Sequence, residues 1–179
     1  LRSFKLHPYD EGTERGFLRH VLVRVGKNTG EILVTLVGGN SMFPKKHDFV
    51  KALVKRFPDI TTVTFSVNRT PEMLLLGENN EVLYGKGYIT DILCGKRFRI
   101  SPQSFYQINH AQTEKLYDYA IKAAKLTKKD VLLDAYSGIG TIGIIVSDYV
   151  KQVQGIEYNA SAVRDAVKNC HENGLTRNC

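Results

Sequence analysis

Apolar residues recur at every second position in several early segments of the chain, and at helical spacing later on. In residues 17–37, Val21, Val23 and Val25 occupy alternate positions, which is typical of a half-buried β-strand. A second β-rich run follows the turn sequence KNTG. The pattern therefore predicts a β-hairpin.

The next segment, PKKHDFVKALVKRFP, has the spacing of an amphipathic helix. Phe49, Leu53 and Phe57 recur every four residues, and Pro44 and Pro58 bound the segment. Its basic residues are predicted to lie on or near the polar side: Lys45, Lys46, Lys51, Lys55 and Arg56.

Three further segments read as strands. In residues 60–68, Val63, Phe65 and Val67 alternate with hydroxyl-bearing residues, as in a strand. The segment MLLLGENNEVLYG predicts a hairpin about Glu78-Asn79-Asn80. The segment YITDILCGKRFRIS adds one or two strands. Residues 1–98 are thus predicted to form a central α+β domain, an antiparallel sheet with one or more helices.

From residue 99 onward, strands alternate with helices. Asn109 is predicted to cap a helix with an apolar stripe, and a strand at 131–134, a helix at 141–149 and a strand at 153–157 follow. Gly174 ends a last helix. The predicted stripes are Leu116, Tyr119, Ala120 and Ala123 on the first helix, and Val163, Ala166, Val167 and Cys170 on the last. This order predicts an α/β fold class, with residues 99–179 as the first half of a Rossmann-like domain.

Composition adds a preference for partners. The chain has 179 residues and a net charge of +7. Fifteen basic and ten acidic residues precede position 99, so most of the positive charge lies there, and RNA is a reasonable partner. No apolar run approaches the roughly 18 residues of a membrane span, and the first residues lack the apolar region of a signal peptide.

Cysteine usage predicts a reducing, cytoplasmic location. Cys94, Cys170 and Cys179 are an odd and sparse set, which suits a reducing cytosol better than a disulfide framework. They form no C-x-x-C pair, so no metal or cluster site is expected within this chain.

The stretch VLLDAYSGIGTIGIIV carries the most specific chemistry. Gly138, Gly140 and Gly143 spell the G-x-G-x-x-G of a dinucleotide site. Four residues, beginning with Asp134, separate the apolar strand from the first glycine. A carboxylate there would repel a pyrophosphate but suits the amino group and sulfonium of S-adenosylmethionine. Glu157, at the end of the next strand, can accept both ribose hydroxyls.

Together, FRISPQSFYQINHAQTEKLY, LLDAYSGIGTIGI and GIEYNASAV resemble the bacterial RNA uracil-5-methyltransferases. The resemblance is greatest to enzymes of Gram-positive type that act on 23S ribosomal RNA. The hairpin GFLRHVLVRVGKNTGEILVTLV is also similar to the family's central domain, so the resemblance covers nearly the whole chain.

The resemblance implies roles for five residues. Gln107 matches the glutamine that contacts S-adenosylmethionine, and Glu157 matches the ribose-binding acid. Tyr136 matches an aromatic position beside the cofactor, and Gly138 lies in the same loop as Tyr136. Phe105 matches an aromatic next to the cofactor and the target base. A transfer RNA substrate, a non-catalytic RNA-binding module and a dinucleotide oxidoreductase remain open as alternatives.

The resemblance also implies that some parts lie elsewhere. The family's nucleophilic cysteine and general base are expected beyond Cys179, and the N-terminal barrel and iron–sulfur cysteines have no counterpart here. The chain is therefore expected to be a fragment, inactive alone and prone to self-association through its incomplete sheet. Arg19, His20, Arg24 and the helix at 45–56 are candidates for phosphate contacts.

Overall fold

A computed structural model describes residues 2–69, 75–77 and 80–175. Its strands are β1 (Leu18–Val25), β2 (Ile32–Gly38), β3 (Ile60–Val67), β4 (Asn80–Tyr84), β5 (Ile89–Leu93), β6 (Lys96–Ile100), β7 (Val131–Asp134) and β8 (Gln152–Gly155). Its helices are α1 (Lys46–Arg56), α2 (His110–Ala124), α3 (Thr141–Val146) and α4 (Ala160–Glu172).

The chain forms two compact units. The first comprises Leu1–Gly26 and Gly30–Ile89, and the second comprises Lys27–Thr29 and Thr90–Cys179. The division at residues 89 and 90 precedes the predicted boundary after residue 98. The difference arises because the backbone of β6 is hydrogen-bonded to side chains of α4, which keeps β6 in the second unit. The separate roles expected for the two domains, RNA association for residues 1–98 and methyl-donor binding for residues 99–179, remain a prediction.

In the first unit, the four-stranded sheet has the order β1-β2-β3-β4. The predicted hairpin is confirmed, because β1 pairs with β2 in antiparallel fashion. The predicted all-antiparallel sheet is wrong, since β2 and β3 pair in parallel. Parallel neighbours need a crossover connection, and α1 supplies it. The part of the second predicted hairpin that includes Glu78 and Asn79 lies outside the described residues, and β4 pairs antiparallel with β3.

One face of this sheet carries the core of the first unit. Val34, Leu36, Val63 and Phe65 are buried there against Val50 of α1. Phe49 and Leu53 pack on the same cluster, as the helical spacing predicts, whereas Phe57 is 52% exposed.

In the second unit, β7 and β8 pair in parallel, which confirms the predicted strand–helix–strand unit. β5 and β6 form a separate two-stranded sheet. Asn109 caps α2 as predicted, by accepting a hydrogen bond from the Gln112 N–H. Gly174, with φ of 73°, follows α4 in the left-handed conformation, as expected.

Both predicted helix stripes need correction. On α2, the buried residues are Thr113 and Tyr117, while the four predicted residues are exposed: Leu116, Tyr119, Ala120 and Ala123. On α4, Cys170 is buried as predicted and Ala166 is partly buried, but Val163 and Val167 are exposed. The other fully buried positions of α4 are polar, namely Asp165 and Asn169.

The turn Lys27–Thr29, although it lies between β1 and β2, belongs to the second unit. The buried carboxylate of Asp91 accepts hydrogen bonds from the backbone N–H groups of Lys27 (3.1 Å) and Asn28 (2.9 Å). The Thr29 hydroxyl donates to the Thr90 carbonyl. Across the described parts of the chain, no helix is both long and apolar enough to span a bilayer.

Candidate functional site

The glycine loop connects the end of β7 to the start of α3. Gly138 (φ 54°) and Gly140 (φ 83°) adopt the left-handed conformation, which glycine enters without a steric cost. Gly140 directly precedes α3, and its N–H bonds to the Ser137 carbonyl at 2.8 Å. The two glycines thus shape the tight turn that the sequence predicts.

Gly143 has a different role, in packing. A Cβ atom at this position would lie 2.9 Å from Cγ1 of Val153, on β8. The absence of a side chain therefore lets α3 approach the sheet closely, which is the role of the third glycine in this motif.

Glu157 faces the glycine loop across the ends of the parallel strands. Its Oε2 accepts a hydrogen bond from the Gly138 N–H at 2.9 Å, and its Oε1 accepts one from the Asn159 N–H at 2.7 Å. Each carboxylate oxygen has a second lone pair, so the group can still accept bonds from a ligand.

Asp134, at the end of β7, is a carboxylate in a partly dehydrated position. Burial raises its pKa, while backbone N–H groups of Gly143 and Tyr136 lower it and the charge of Glu157 raises it further. Its Oδ2 is buried and accepts no hydrogen bond from any described residue. Such an atom favours a ligand that brings a positive charge or a donor.

Both carboxylates line one cavity of about 190 Å³. The loop contributes Ser137 and Gly140 to its wall. The opposite wall is apolar and comes from α3, β8 and α4: Ile144, Val153, Val163, Ala166 and Val167. The cavity therefore combines two anionic groups with an apolar surface, which suits a ligand with a positive charge and an uncharged ring.

The structure brings together two of the five predicted site residues, Gly138 and Glu157, through a hydrogen bond. Of the five, Glu157 alone lines the cavity. Tyr136 is 93% exposed and Phe105 is 74% exposed, and Gln107 is exposed as well. Their roles toward the cofactor or base stay predictions.

Phe105 and Gln107 nevertheless lie on an anchored segment. Between them, Tyr106 is partly buried and its hydroxyl donates to Asp91 at 3.4 Å. Ser104 is 2% exposed and its hydroxyl donates to Asp165 at 2.9 Å. The alternation fixes one side of the segment and leaves Phe105 and Gln107 open to solvent.

Sequence reasoning missed the polar side of α4. Asp165 and Asn169 are 4% and 0% exposed and bond to the segment after β6 and to the glycine loop. Asp165, Asn169 and Asn173 recur every four residues, and this helical spacing was the available signal.

Among the predicted phosphate contacts, Arg19 has another use. Its side chain is 5% exposed, pairs with Glu11 and donates to the Asn68 carbonyl. Arg24 is partly buried, and its desolvation lowers its pKa, whereas His20 is exposed. His20 is thus the most accessible of the three.

Solved structures share this fold. The tRNA (uracil-54, C5)-methyltransferase of Pyrococcus abyssi, in complex with S-adenosyl-L-homocysteine, is 29% identical with a TM-score of 0.71, covering 91% of this chain and 38% of that one. TYW2 of P. horikoshii, in complex with MeSAdo, is 17% identical with a TM-score of 0.50, covering 90% of this chain and 54% of that one, and supports the fold alone.

Two similar curated relatives come from Gram-positive genera. An RNA methyltransferase of Oceanobacillus iheyensis is 39% identical over 175 residues, and YljE of Lactococcus lactis, also named as an RNA methyltransferase, is 43% identical over 176 residues. Both alignments cover 98% of this chain but 38% of the relative. The chain thus spans well under half the length of these proteins. Since the family model for tRNA (uracil-5-)-methyltransferases also matches residues 40–178, the chain belongs to that family.

Proposed function

We propose that this chain carries the S-adenosylmethionine site of an RNA methyltransferase that forms 5-methyluridine. The observation that carries the proposal is the pair of carboxylates over one cavity: Glu157, bonded to the Gly138 N–H, and Asp134, with its buried and unpaired Oδ2. When bound, S-adenosylmethionine supplies an electrophilic methyl group.

The residues present fit this cofactor. Glu157 would accept hydrogen bonds from the ribose hydroxyls, and Asp134 would attract the amino group and sulfonium. Gly138 leaves space beside the loop, because a Cβ atom there would meet nothing within 4 Å. Two carboxylates so close together would disfavour a dinucleotide, whose pyrophosphate is anionic.

We infer that the substrate is 23S ribosomal RNA. The resemblance to enzymes of Gram-positive type and the identity of about 40% to relatives from Gram-positive genera support this choice. The positive charge before residue 99 and the exposed basic residues Lys51, Lys55 and Arg56 of α1 suit a polyanion in the cytoplasm. A uracil in a base stack would have to be flipped out to expose its C5 and C6 atoms.

Transfer RNA is the second candidate, because the Pyrococcus abyssi neighbour is named for uracil-54 of tRNA. The two candidates are separated by offering the full-length protein a 23S transcript and a tRNA transcript with labelled S-adenosylmethionine. Label in the 23S transcript alone would support the first choice, and label in the tRNA alone would replace it.

The proposed chemistry is addition of a cysteine thiolate to uracil C6, which makes C5 nucleophilic toward the methyl group, followed by removal of the C5 proton by a base. The described cysteines do not suit this role. Burial raises the pKa of Cys94, and the charges of Glu114 and Asp118 raise it further. Cys170 is 8% exposed and, contrary to the expectation of no disulfide, is disulfide-bonded. We therefore propose that the 179-residue chain transfers no methyl group by itself. Transfer of labelled methyl to a uridine-containing RNA by this chain would refute that proposal.

The cofactor assignment is tested by calorimetric titration of the chain with S-adenosylhomocysteine. We expect Glu157→Ala to weaken binding at least tenfold, since it removes the acceptor for the ribose hydroxyls. Glu172→Ala is the matched control, because it removes an exposed carboxylate from the end of α4 outside the cavity lining. Equal binding by the two variants, or no binding by the unmodified chain, would count against the proposed site and favour the non-catalytic alternative.

A further inference from the structure

The side of α4 that packs into the second unit is polar. Asn169 is fully buried and uses both ends of its amide. Its Oδ1 accepts a hydrogen bond from the Arg99 N–H at 2.7 Å, and its Nδ2 donates to the Ile139 carbonyl at 3.0 Å and to the Arg99 carbonyl at 3.4 Å. Since Arg99 is on β6 and Ile139 is between the two left-handed glycines, one side chain links this strand to the glycine loop.

Asn173, which caps the C-terminal end of α4, repeats half of this arrangement. Asn173 accepts a hydrogen bond from the Arg97 N–H at 3.0 Å and donates to the Arg97 carbonyl at 2.7 Å. Its other bond goes to the Asn169 carbonyl, within the same helix. Asn173 therefore holds β6 as Asn169 does, with no hydrogen bond to the glycine loop among the described residues.

The preceding turn links α4 to the segment that follows β6. Asp165 accepts a hydrogen bond from the Ser104 hydroxyl at 2.9 Å and pairs with Arg99 at 3.2 Å. Ser104 directly precedes Phe105 and lies three residues before Gln107. The same face of α4 thus bonds to the segment predicted to carry cofactor contacts and, through Asn169, to the loop that carries Gly138.

We propose that Asn169 is a positioning residue for the adenosyl cofactor, resting on the function proposed above. It holds the glycine loop in a fixed position relative to β6 and the segment 101–109, so that Glu157 and Gly138 on one side keep their distance from Gln107 on the other. An amide is required because the site presents one backbone donor and two backbone acceptors. An apolar residue would leave these groups unpaired in the interior, and an aspartate would place an anion against two carbonyl oxygens.

The test compares two changes at Asn169 with a matched change at Asn173. Asn169→Ala removes the whole amide, and Asn169→Asp keeps its shape and the acceptor for Arg99 while removing both donors. Asn173→Ala removes an equivalent pair of bonds to β6. All variants are studied in the 179-residue chain, well below the melting temperature that each shows by circular dichroism.

The first readout is amide hydrogen exchange of the glycine loop without ligand. The N–H groups of Gly138 and Gly140 are bonded to Glu157 and Ser137, so their exchange reports loop order. We expect both Asn169 variants to speed exchange at these two amides by about tenfold, the effect of losing one buried hydrogen bond of ordinary strength. Asn173→Ala is expected to leave them unchanged. Similar exchange in the Asn169 and Asn173 variants would overturn the proposal, because it would reduce Asn169 to general helix packing.

The second readout is the Kd for S-adenosylhomocysteine. We expect it to rise about tenfold in the Asn169 variants and to stay constant in Asn173→Ala. If the unmodified chain binds and the Asn169 variants bind equally well, the positioning role is refuted while the proposed cofactor site stands. If the unmodified chain does not bind, the cofactor assignment fails, and the exchange experiment still decides whether Asn169 orders the loop.

Discussion

At the scale of single residues, the two carboxylates of the cavity differ in how they are satisfied. Glu157 accepts two backbone hydrogen bonds, whereas Asp134 keeps a buried oxygen without a partner. A dehydrated anion costs stability in the free protein, and that cost is recovered when a cationic ligand approaches. Asp134, the carboxylate whose burial costs the free protein stability, is therefore also the group best suited to bind positive charge.

Asp134→Asn is expected to raise the melting temperature of the free chain at neutral pH and to weaken binding of S-adenosylmethionine. The sign follows from the raised pKa: the folded chain holds this proton more tightly than the unfolded chain does, so stability falls as pH rises from the unfolded pKa through the folded one. The gain over the unmodified chain should shrink in acid, where Asp134 is protonated in both states. Asp59→Asn, a change at an exposed position, is the control for thermal scans across pH and should show no such trend.

Gly143→Ala is expected to destabilise the chain by about 1–3 kcal/mol, as other substitutions that overpack a core do. The new methyl group would meet Cγ1 of Val153 at 2.9 Å. Adding Val153→Ala should recover part of the loss in urea unfolding. Failure of the double variant to recover stability would show that the contact with Val153 is not the cause.

The conformation of the glycine motif could be predicted from the sequence. The placement of Phe105, Gln107 and Tyr136 relative to the cavity could not. G-x-G-x-x-G specifies local backbone conformation and one close contact, both of which depend on residues near each other in the chain. Whether Phe105, Gln107 and Tyr136 approach the cavity depends on long-range placement and on the ligand itself. No spacing rule encodes that placement.

At the scale of elements, apolar periodicity located the helices but assigned the wrong faces to two of them. On α4, Val163 and Val167 line the cavity, while Asp165 and Asn169 occupy the buried side. The buried side is polar because it bonds to the backbone of β6 and of the glycine loop, and such partners cannot be recognised from a hydropathy pattern. The parallel pairing of β2 with β3 was missed for a related reason, since strand direction follows from the crossover helix α1 rather than from the strands.

The start of α4 offers a separate test at this scale. Asn159 accepts hydrogen bonds from the N–H groups of Ser161 and Ala162. Asn159→Ala should lower the free energy of unfolding by about 1 kcal/mol, and Asn159→Asp should preserve it, because aspartate caps a helix equally well. Chemical denaturation of the two variants measures this difference, and equal losses in both would contradict a capping role.

At the scale of the whole molecule, a second cavity, which is apolar, is lined by two residues of the exposed stripe of α2, Leu116 and Ala120. This cavity, about 370 Å³, lies between α2, α3 and the strand β7. Its lining includes Leu116 and Ile142, which are 57% and 43% exposed. Exposed apolar surface of this kind favours association.

We therefore expect the chain to self-associate with rising concentration, and Leu116→Lys to reduce that association by placing a charge in the cavity. Gel filtration over a range of concentrations measures it. Lys115→Leu, at the neighbouring exposed position, is the control for net hydrophobicity and should not reduce association. A monomer at all concentrations would show that the cavity does not drive contact between copies.

The hydrogen bonds between the turn Lys27–Thr29 and Asp91 limit how the gene can be divided. An open reading frame that begins at residue 90 would encode nearly all of the second unit but would leave the Asp91 carboxylate, 1% exposed, without the two N–H groups that now satisfy it. During translation, the turn emerges from the ribosome long before Asp91, so its N–H groups lack this acceptor until residue 91 has been synthesised. The coding sequence of the second unit is therefore interrupted by that of the first, and no single division of the gene yields the whole second unit.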